Sequence, residues 1–436
     1  MFQKSLYALL LLKAKTKRLQ IGFQRWYLSK VRIPLASTGL RPIDIQAANK
    51  VLNSGLLTMG KNVKEFENEM ASYLGSKHFI MVNSGSSANL AMMEGLLRPS
   101  SGRPFLFPGD KVLVPAIAWP TTIWPVIQLG LEPVFVDINE ETLAIDLNQA
   151  NEKLSKDSSI KAIFIIHPMG RAIDNRSLDE LIAKYNIQVI NDVCESLGSF
   201  INGKHAGYSG IASSFSFYFS HHLTTMEGGG VATNSNEFAN DLKSIRSHGW
   251  SRDRTDSDQW HENLQGNDSK FLFVTTGYNI RPMEIQAAIG RSQLKDLNVF
   301  VEKRRAIAEK VKNSIKNTCL SLIGEDTLNV SEKIESHSWM LLPIRINNLI
   351  VHDAKNLVID YLESVGIETR PVLTGNFLSQ PSMRRIGKNL PHPNEFPNAN
   401  NISKSSFLVG AHHDLNDQQI KFLCESLNEA SRIAIQ

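Results

Sequence analysis

The stretch FIMVNSGSSANLAMMEGLL, Phe79–Leu97, changes its period half-way along. It begins as a short apolar β-run and ends as a helix, and the chain passes from one to the other through Asn83, Ser84, Gly85, Ser86 and Ser87. The same alternation extends on both sides. From about residue 45 to 235, the runs KHFIMVN, KVLVPA, EPVFVDI, AIFIIHP, IQVINDV, SSFSFYF and GGVATN are separated by helical periods. Strands alternating with amphipathic helices predict an α/β fold, a parallel or mostly parallel sheet with helices on both faces. In such sheets ligands bind beyond the carboxyl ends of the strands, so chemistry is sought where these strands stop.

The chain has 436 residues, 42% of them hydrophobic and 21% charged, enough for a full core and two domains. After Gly290 the pattern changes to a long charged helix (VEKRRAIAEKVKNSIKN), the strand-like WMLLPIRI, the helix AKNLVIDYLESVG, the strand IETRPVL and a closing helix. The expected division is a basic extension over 1–32, a large domain over 33–290 and a smaller α+β domain over 291–436. The net charge of +4 conceals an asymmetry: the extension holds eight Lys or Arg and no acid, whereas 39 basic and 43 acidic residues follow it. A mildly acidic body argues against nucleic-acid binding. The apolar run Leu6–Leu12 is too short to span a bilayer, and the extension reads as frayed chain, a membrane-surface helix or a targeting peptide. Three scattered cysteines without CxxC spacing argue against a disulfide framework and a thiolate metal site, which predicts a reducing, cytoplasmic setting.

Several strand ends carry candidate chemistry. Gly85, Ser86 and Ser87 open a helix whose free amides and hydroxyls can cradle a phosphate, although a serine N-cap alone would look the same. Asp192, in VINDVCESLGS, falls at the end of a buried strand, where a carboxylate calls for a cationic partner, either a protonated ring nitrogen or an ordinary salt bridge. Trp119, in PAIAWPTTIWP, can stack on a flat ring or pack in a core. Ser216 can add a hydroxyl to the same phosphate or remain a satisfied strand residue. Phosphate cradle, stacking aromatic and strand-end acid are together the requirements of pyridoxal phosphate.

The pieces SGSSANL, PTTIWPVIQLGLEPVFVDI, NDVCESLGS, RSHGWSR and GYNIRPMEIQAAIG follow one another over nearly the whole chain after residue 33. In that order they resemble the sugar aminotransferases and dehydratases of the fold-type I pyridoxal-phosphate enzymes. The resemblance implies that residues 33–290 bind the cofactor. Asp192 would meet the pyridine nitrogen, Ser86, Ser87 and Ser216 the phosphate, and Trp119 the ring face. Glu195, often Gln in the family, would lie by the ring hydroxyl. Asn279 would reach the phosphate in a neighbouring subunit, which implies a homodimer with shared active sites.

One stretch departs from the aminotransferases. In SFSFYFSHHLTTMEGGG, Ser214–Gly230, His221 stands where that resemblance expects the lysine that tethers the aldehyde cofactor. Between Lys204 and Lys243 there is no lysine to replace it. Imidazole cannot form that bond, yet its ordinary pKa near ~6.5 suits it to carry protons. The implied cofactor form is untethered pyridoxamine phosphate. Together with ETRPVLTGNFLSQPS, the substitution resembles the 3-dehydratases of nucleotide-linked 4-keto-6-deoxyhexoses. The implied reaction removes the C3 hydroxyl, with His221 as proton carrier and glutamate regenerating the amine. An iron–sulfur branch of the family needs four cysteines, and only Cys194 matches a position there. An ordinary sugar aminotransferase and a non-catalytic binding protein remain rival readings at this stage. His222 has no assigned role, and Arg246, His248 and Asn376 are open candidates for sugar contacts.

Overall fold

The computed structural model describes residues 32–435 apart from 38, 101, 103, 262–268, 329–333, 348–352 and 387–389. The basic extension before Arg32 therefore lies outside the described residues. Among the described residues no helix is long and apolar enough to cross a membrane.

Two helices open the fold, α1 (Pro42–Ser54) and α2 (Lys61–Leu74). The alternating region follows: β1 (His78–Val82), α3 (Gly85–Leu97), β2 (Lys111–Pro115), α4 (Pro120–Gln128), β3 (Glu132–Val136), α5 (Leu147–Lys156), β4 (Ile160–Ile166), α6 (Asn175–Tyr185) and β5 (Gln188–Asp192). A two-stranded hairpin, β6 (Phe200–Ile201) and β7 (Lys204–His205), separates β5 from β8 (Ala212–Ser216) and β9 (Gly229–Thr233). The seven-stranded sheet has the order β1-β9-β8-β5-β4-β2-β3, and β9 alone runs against its neighbours. Strands covered on both faces read as unbroken apolar runs, and β4 (IKAIFII) is buried everywhere except Lys161. Each fully buried Ile or Phe there contributes about 1.5–3 kcal/mol.

Beyond α7 (Asn236–Ile245) and α8 (Glu284–Leu294), the long helix α9 (Leu297–Ile315) leaves the first core and enters a second. Its Leu297 and Val301 pack with Phe66 and Phe217, whereas Ile307, Val311 and Ile315 pack with Trp339 and Phe407. The second core sits on an antiparallel sheet in the order β10 (Leu320–Leu322), β11 (Leu341–Ile346), β13 (Ser406–Gly410), β12 (Thr369–Arg370), covered by α10 (Ala354–Ser364) and α12 (Asp417–Ile435). Between them, α11 (Pro397–Ser405) leads into β13. Ile33 belongs to this second core, where it pairs with Ile367, and the chain only then crosses to α1, which packs on α8.

The GYNIRPMEIQAAIG stretch has a definite structural job. Glu284, 2% exposed, accepts from the backbone N–H groups of Gly60, Asn62 and Val63 and from the Asn62 amide. A buried carboxylate thereby caps α2 at its positive end and ties α8 to it.

Candidate active site

The carboxyl ends of β1, β5 and β8 and the segment after β2 converge on a cavity of about 310 Å3. Ser84, Gly85 and Ser86 form one wall, Trp119 and Thr122 another, and Asp192, Cys194, Glu195, Ser216 and His221 lie between them. The second domain closes the cavity with Met340, Arg370 and Leu373.

Ser84 is extended (φ −165°) and its hydroxyl accepts from the Ser87 N–H at 3.1 Å, which starts α3. Gly85 and Ser86, in the first turn at the positive end of the helix, line the cavity. Two glycines allow this approach. A Cβ on Gly85 would lie 2.5 Å from the Ser216 Cβ and 2.9 Å from Cys194 Sγ, and one on Gly229 would lie 2.4 Å from the Ser84 carbonyl carbon. Ser87 does not line the cavity: its hydroxyl accepts from that of Ser84 at 3.0 Å.

Trp119 caps α4 in extended conformation, as a residue before proline must, and Pro120 opens the helix. Its ring is 49% exposed, an aromatic face left beside the cavity instead of in the core. Thr122, one turn on, donates its hydroxyl to Asp192 Oδ2 at 2.8 Å, and the Asn89 amide donates to the same oxygen at 2.7 Å. Asp192 Oδ1 accepts from the Cys194 N–H at 3.1 Å. The carboxylate is 5% exposed, oriented by three donors, and among the described residues no Lys, Arg or His comes within ion-pair distance of it.

Glu195 accepts from the Met169 N–H at 3.0 Å, and burial raises its pKa to about 7 against that bond. Met169 holds a left-handed conformation, φ 51°, in the turn after β4. Burial and then the Asp192 carboxylate push the Cys194 thiol upward, which disfavours its thiolate.

The two histidines divide their work. His221 follows a turn in which its N–H donates to the Tyr218 carbonyl at 3.0 Å, and it lines the cavity together with Trp119 and Asp192. Its Nδ1 is sealed from solvent. Burial lowers its pKa to about 4, the Cys194 carbonyl opposes this, and the charges of Arg304 and Arg370 add to it. His222, 1% exposed, turns away from the cavity and bonds through Nε2 to the Ser338 carbonyl at 3.1 Å.

Gly85, Ser86, Trp119, Asp192, Glu195, Ser216 and His221 are therefore brought together, while Ser87 and Asn279 stand outside the lining. Asn279 is exposed and forms an isolated bridge with Ser247. The three open candidates for sugar contacts also stand outside. Arg246 is buried on Glu67 and the Met81 carbonyl, Asn376 is buried on Asn400 and Pro393, and His248 takes a turn conformation at φ 64°. Sequence reasoning missed Asn89, Thr122 and Arg370. A polar amide just before the apolar run AMMEGLL of the same helix was the available signal for Asn89; nothing local marked the other two.

Residues 40–428 match the model of the DegT/DnrJ/EryC1/StrS aminotransferase family. The chain belongs to that family. GDP-4-keto-6-deoxy-D-mannose 3-dehydratase of Yersinia pseudotuberculosis is 34% identical to it over 401 residues, covering 92% of this chain and 99% of that one. The enzyme of the same name from Escherichia coli O55:H7 is 36% identical over 406 residues, covering 91% and 100%. A solved structure of GDP-4-keto-6-deoxymannose-3-dehydratase, holding a trapped PLP-glutamate geminal diamine, matches at TM-score 0.81 and 34% identity over 91% of this chain and 100% of that one. The fold is accordingly the aminotransferase fold of the DegT/DnrJ/EryC1/StrS family. The groups on the wall fit a pyridoxal or pyridoxamine phosphate: a helix N-terminus opened by Gly85, an exposed indole and a buried acid with no cation within ion-pair distance among the described residues.

Proposed function

We propose that the protein removes the C3 hydroxyl of a GDP-linked 4-keto-6-deoxyhexose, with pyridoxamine phosphate held without a covalent tether and restored by glutamate. The carrying observation is that His221, where the family resemblance expects the tethering lysine, lines one cavity together with Gly85, Ser86, Trp119, Asp192, Glu195 and Ser216. When bound, the cofactor supplies the amine that condenses with the C4 ketone and a ring that takes up electrons.

The chain's own residues do the rest. Asp192, pre-oriented by Asn89 and Thr122, holds a proton on the ring nitrogen. The amides of Gly85 and Ser86 and the Ser216 hydroxyl hold the phosphate, with Ser87 behind them fixing the first helical turn. Trp119 covers one ring face, and Glu195 meets the ring hydroxyl. His221, neutral at physiological pH, moves a proton from the C4′ carbon of the cofactor toward the departing C3 oxygen. Net, the sugar and glutamate give ammonia, 2-oxoglutarate and the GDP-linked 3,6-dideoxy-4-keto sugar, the water released with the C3 oxygen being consumed again in hydrolysis.

A homodimer completes the site in this reading, with Asn279 reaching the phosphate in the neighbouring subunit. Exposed Ile45, Leu52, Leu56, Leu57 and Met283 support it, since α1, its following loop and the start of α8 leave these apolar side chains uncovered. Free Cys194, Cys319 and Cys424 agree with work in the reducing cytoplasm.

The deciding experiment supplies pyridoxamine phosphate, glutamate and GDP-4-keto-6-deoxymannose to the purified protein and reads the product mass. Loss of one sugar oxygen is the expected result. A ketone replaced by an amine, with the C3 hydroxyl kept, would show an aminotransferase, and an unaltered sugar would end the catalytic reading.

A further inference from the structure

Among the described residues that line the cavity, Arg370 is the only Lys or Arg, whereas Asp192, Glu195 and Glu227 are acids. Arg370 is exposed, and among the described residues its guanidinium has no hydrogen-bond or ion-pair partner. A cation that shares a cavity with three acids and pairs with none of them is left for an incoming anion.

Its backbone, by contrast, is fixed on both sides. Upstream, the Glu368 N–H donates to the Ile33 carbonyl at 3.0 Å, and the Glu368 carboxylate accepts from the Leu35 N–H at 3.0 Å. Arg370 itself pairs with Leu408 from the edge strand β12, and Pro371 confines it to extended conformation. Downstream, the Thr374 hydroxyl donates to the Ala118 carbonyl at 2.8 Å, and the Phe377 N–H donates to that of Ala116 at 2.8 Å. The chain after Arg370 is thus docked on the segment that ends in Trp119. An anchored strand of the second domain brings the residue to the cavity, and its head group alone stays unengaged.

The proposed reaction brings three anions to the site. The cofactor phosphate has Gly85, Ser86 and Ser216 on the first domain. The diphosphate of the sugar hangs from C1, across the ring from the C4 that reacts, whereas the Arg370 charge acts on His221 and Glu195 at the reacting end. Glutamate remains. It carries two carboxylates into a cavity lined by three acids, which repel it unless a cation intervenes, and a guanidinium can meet a carboxylate with two parallel hydrogen bonds.

We propose that Arg370 is the specificity residue for the amino donor: its guanidinium takes a carboxylate of glutamate in the half-reaction that restores the amine cofactor. The inference rests on glutamate as the donor in the proposed reaction. In that half-reaction the amino group of glutamate passes to pyridoxal phosphate, which yields pyridoxamine phosphate and 2-oxoglutarate, and Arg370 neither gains nor loses a proton. The reacting end of the 4-keto sugar is uncharged and makes no use of the guanidinium.

Calorimetry of the pyridoxal-phosphate-loaded protein with glutarate, a dicarboxylate without an amine, reads binding alone. Wild type is expected to bind glutarate, Arg370→Gln about tenfold more weakly, and Arg370→Lys in between, because an ammonium lacks the planar fork. Added salt should weaken binding to wild type more than to Arg370→Gln. Both variants change an exposed side chain without partners, so the fold is kept. Loss of the aldehyde absorbance on adding glutamate reads the half-reaction, whose KM is expected to rise about tenfold in Arg370→Gln, with a smaller change in KM for the GDP sugar. Equal glutarate affinity in wild type and Arg370→Gln overturns the proposal. So does a larger effect on the GDP sugar than on glutamate, which would give the guanidinium to the diphosphate. Arg370-dependent use of glutamate in a protein that leaves the C3 oxygen in place would end the deoxygenation reading alone, and deoxygenation with an unmoved glutamate KM in Arg370→Gln would end this inference alone.

Discussion

The Asn89 amide and the Asp192 carboxylate meet at 2.7 Å across 103 residues of chain, inside a site where both side chains are almost wholly buried. Asn89 also accepts the Ser214 hydroxyl at 2.5 Å, so a single helical amide aligns the ends of β5 and β8. Asn89→Ala leaves two buried groups short of a partner. It is expected to lower stability by about 1–3 kcal/mol in urea titration and to weaken pyridoxamine phosphate binding by about tenfold. Unchanged cofactor affinity would mean that Asp192 needs no such alignment.

Asp192→Asn keeps the shape of the side chain and removes the charge. Turnover is expected to fall by about 100-fold or more, with the melting temperature within a few degrees of wild type. Turnover within about threefold of wild type would exclude the carboxylate as partner of a ring nitrogen.

His221→Asn should bind pyridoxamine phosphate and release no deoxygenated sugar. His221→Lys with pyridoxal phosphate should gain a new absorption band and a covalent bond that borohydride makes permanent, detectable by intact mass. A lysine that forms no such bond would show that position 221 does not face the C4′ carbon.

His222→Ala removes the bond to the Ser338 carbonyl. A loss of about 1–3 kcal/mol in stability is expected, together with a fall in kcat that leaves KM nearly unchanged, because the ring touches no substrate. His222→Gln, which can donate to the same carbonyl, should recover part of both.

Buried histidines give the fold a signed pH dependence. Burial depresses the pKa of His167, His205 and His221 to about 4 in each case. The unfolded chain therefore binds more protons, so their contribution is complete above about pH 6.5 and is lost as pH falls toward 4. Glu195, raised to about 7, acts in the opposite sense and contributes less as pH rises from about 4.5 through 7. Melting temperature should fall from pH 6.5 to 4.5, and Glu195→Gln should raise it at pH 7.5. A flat profile over the acid range would contradict the burial of these rings.

Mixing subunits tests the shared site. If Asn279 serves the neighbouring cavity, His221→Asn and Asn279→Ala chains, each weak alone, should recover up to about a quarter of wild-type activity after joint refolding, since half the dimers are mixed and each has one intact site. No recovery in mixed dimers would confine Asn279 to a structural role.

The alternation of strands and helices was legible because a two-sided parallel sheet demands unbroken apolar runs, and KVLVPA, AIFIIHP and IQVINDV are such runs. Gly85, Ser86, Trp119, Asp192, Ser216 and His221 were legible for a related reason: they sit where strands end, and strand ends meet at one edge of the sheet. Thr122 and Arg370 were not, since nothing in PTTIW or ETRPV says which hydroxyl or guanidinium will face a cavity. Ile33 joining the second core was equally hidden, because its partner Ile367 is a third of a thousand residues away along the chain.

By itself the sequence determined the α/β architecture and the cofactor class, which depend on local periodicity and residue chemistry, and its resemblance to the sugar aminotransferases and dehydratases implied His221 in place of a tethering lysine. Tertiary structure alone decided that His221 lines the cavity and His222 does not, and that Asn89 and Thr122 meet Asp192 there. Those outcomes depend on which groups lose water together, and burial in common is a property of packing between distant segments, not of neighbours along the chain.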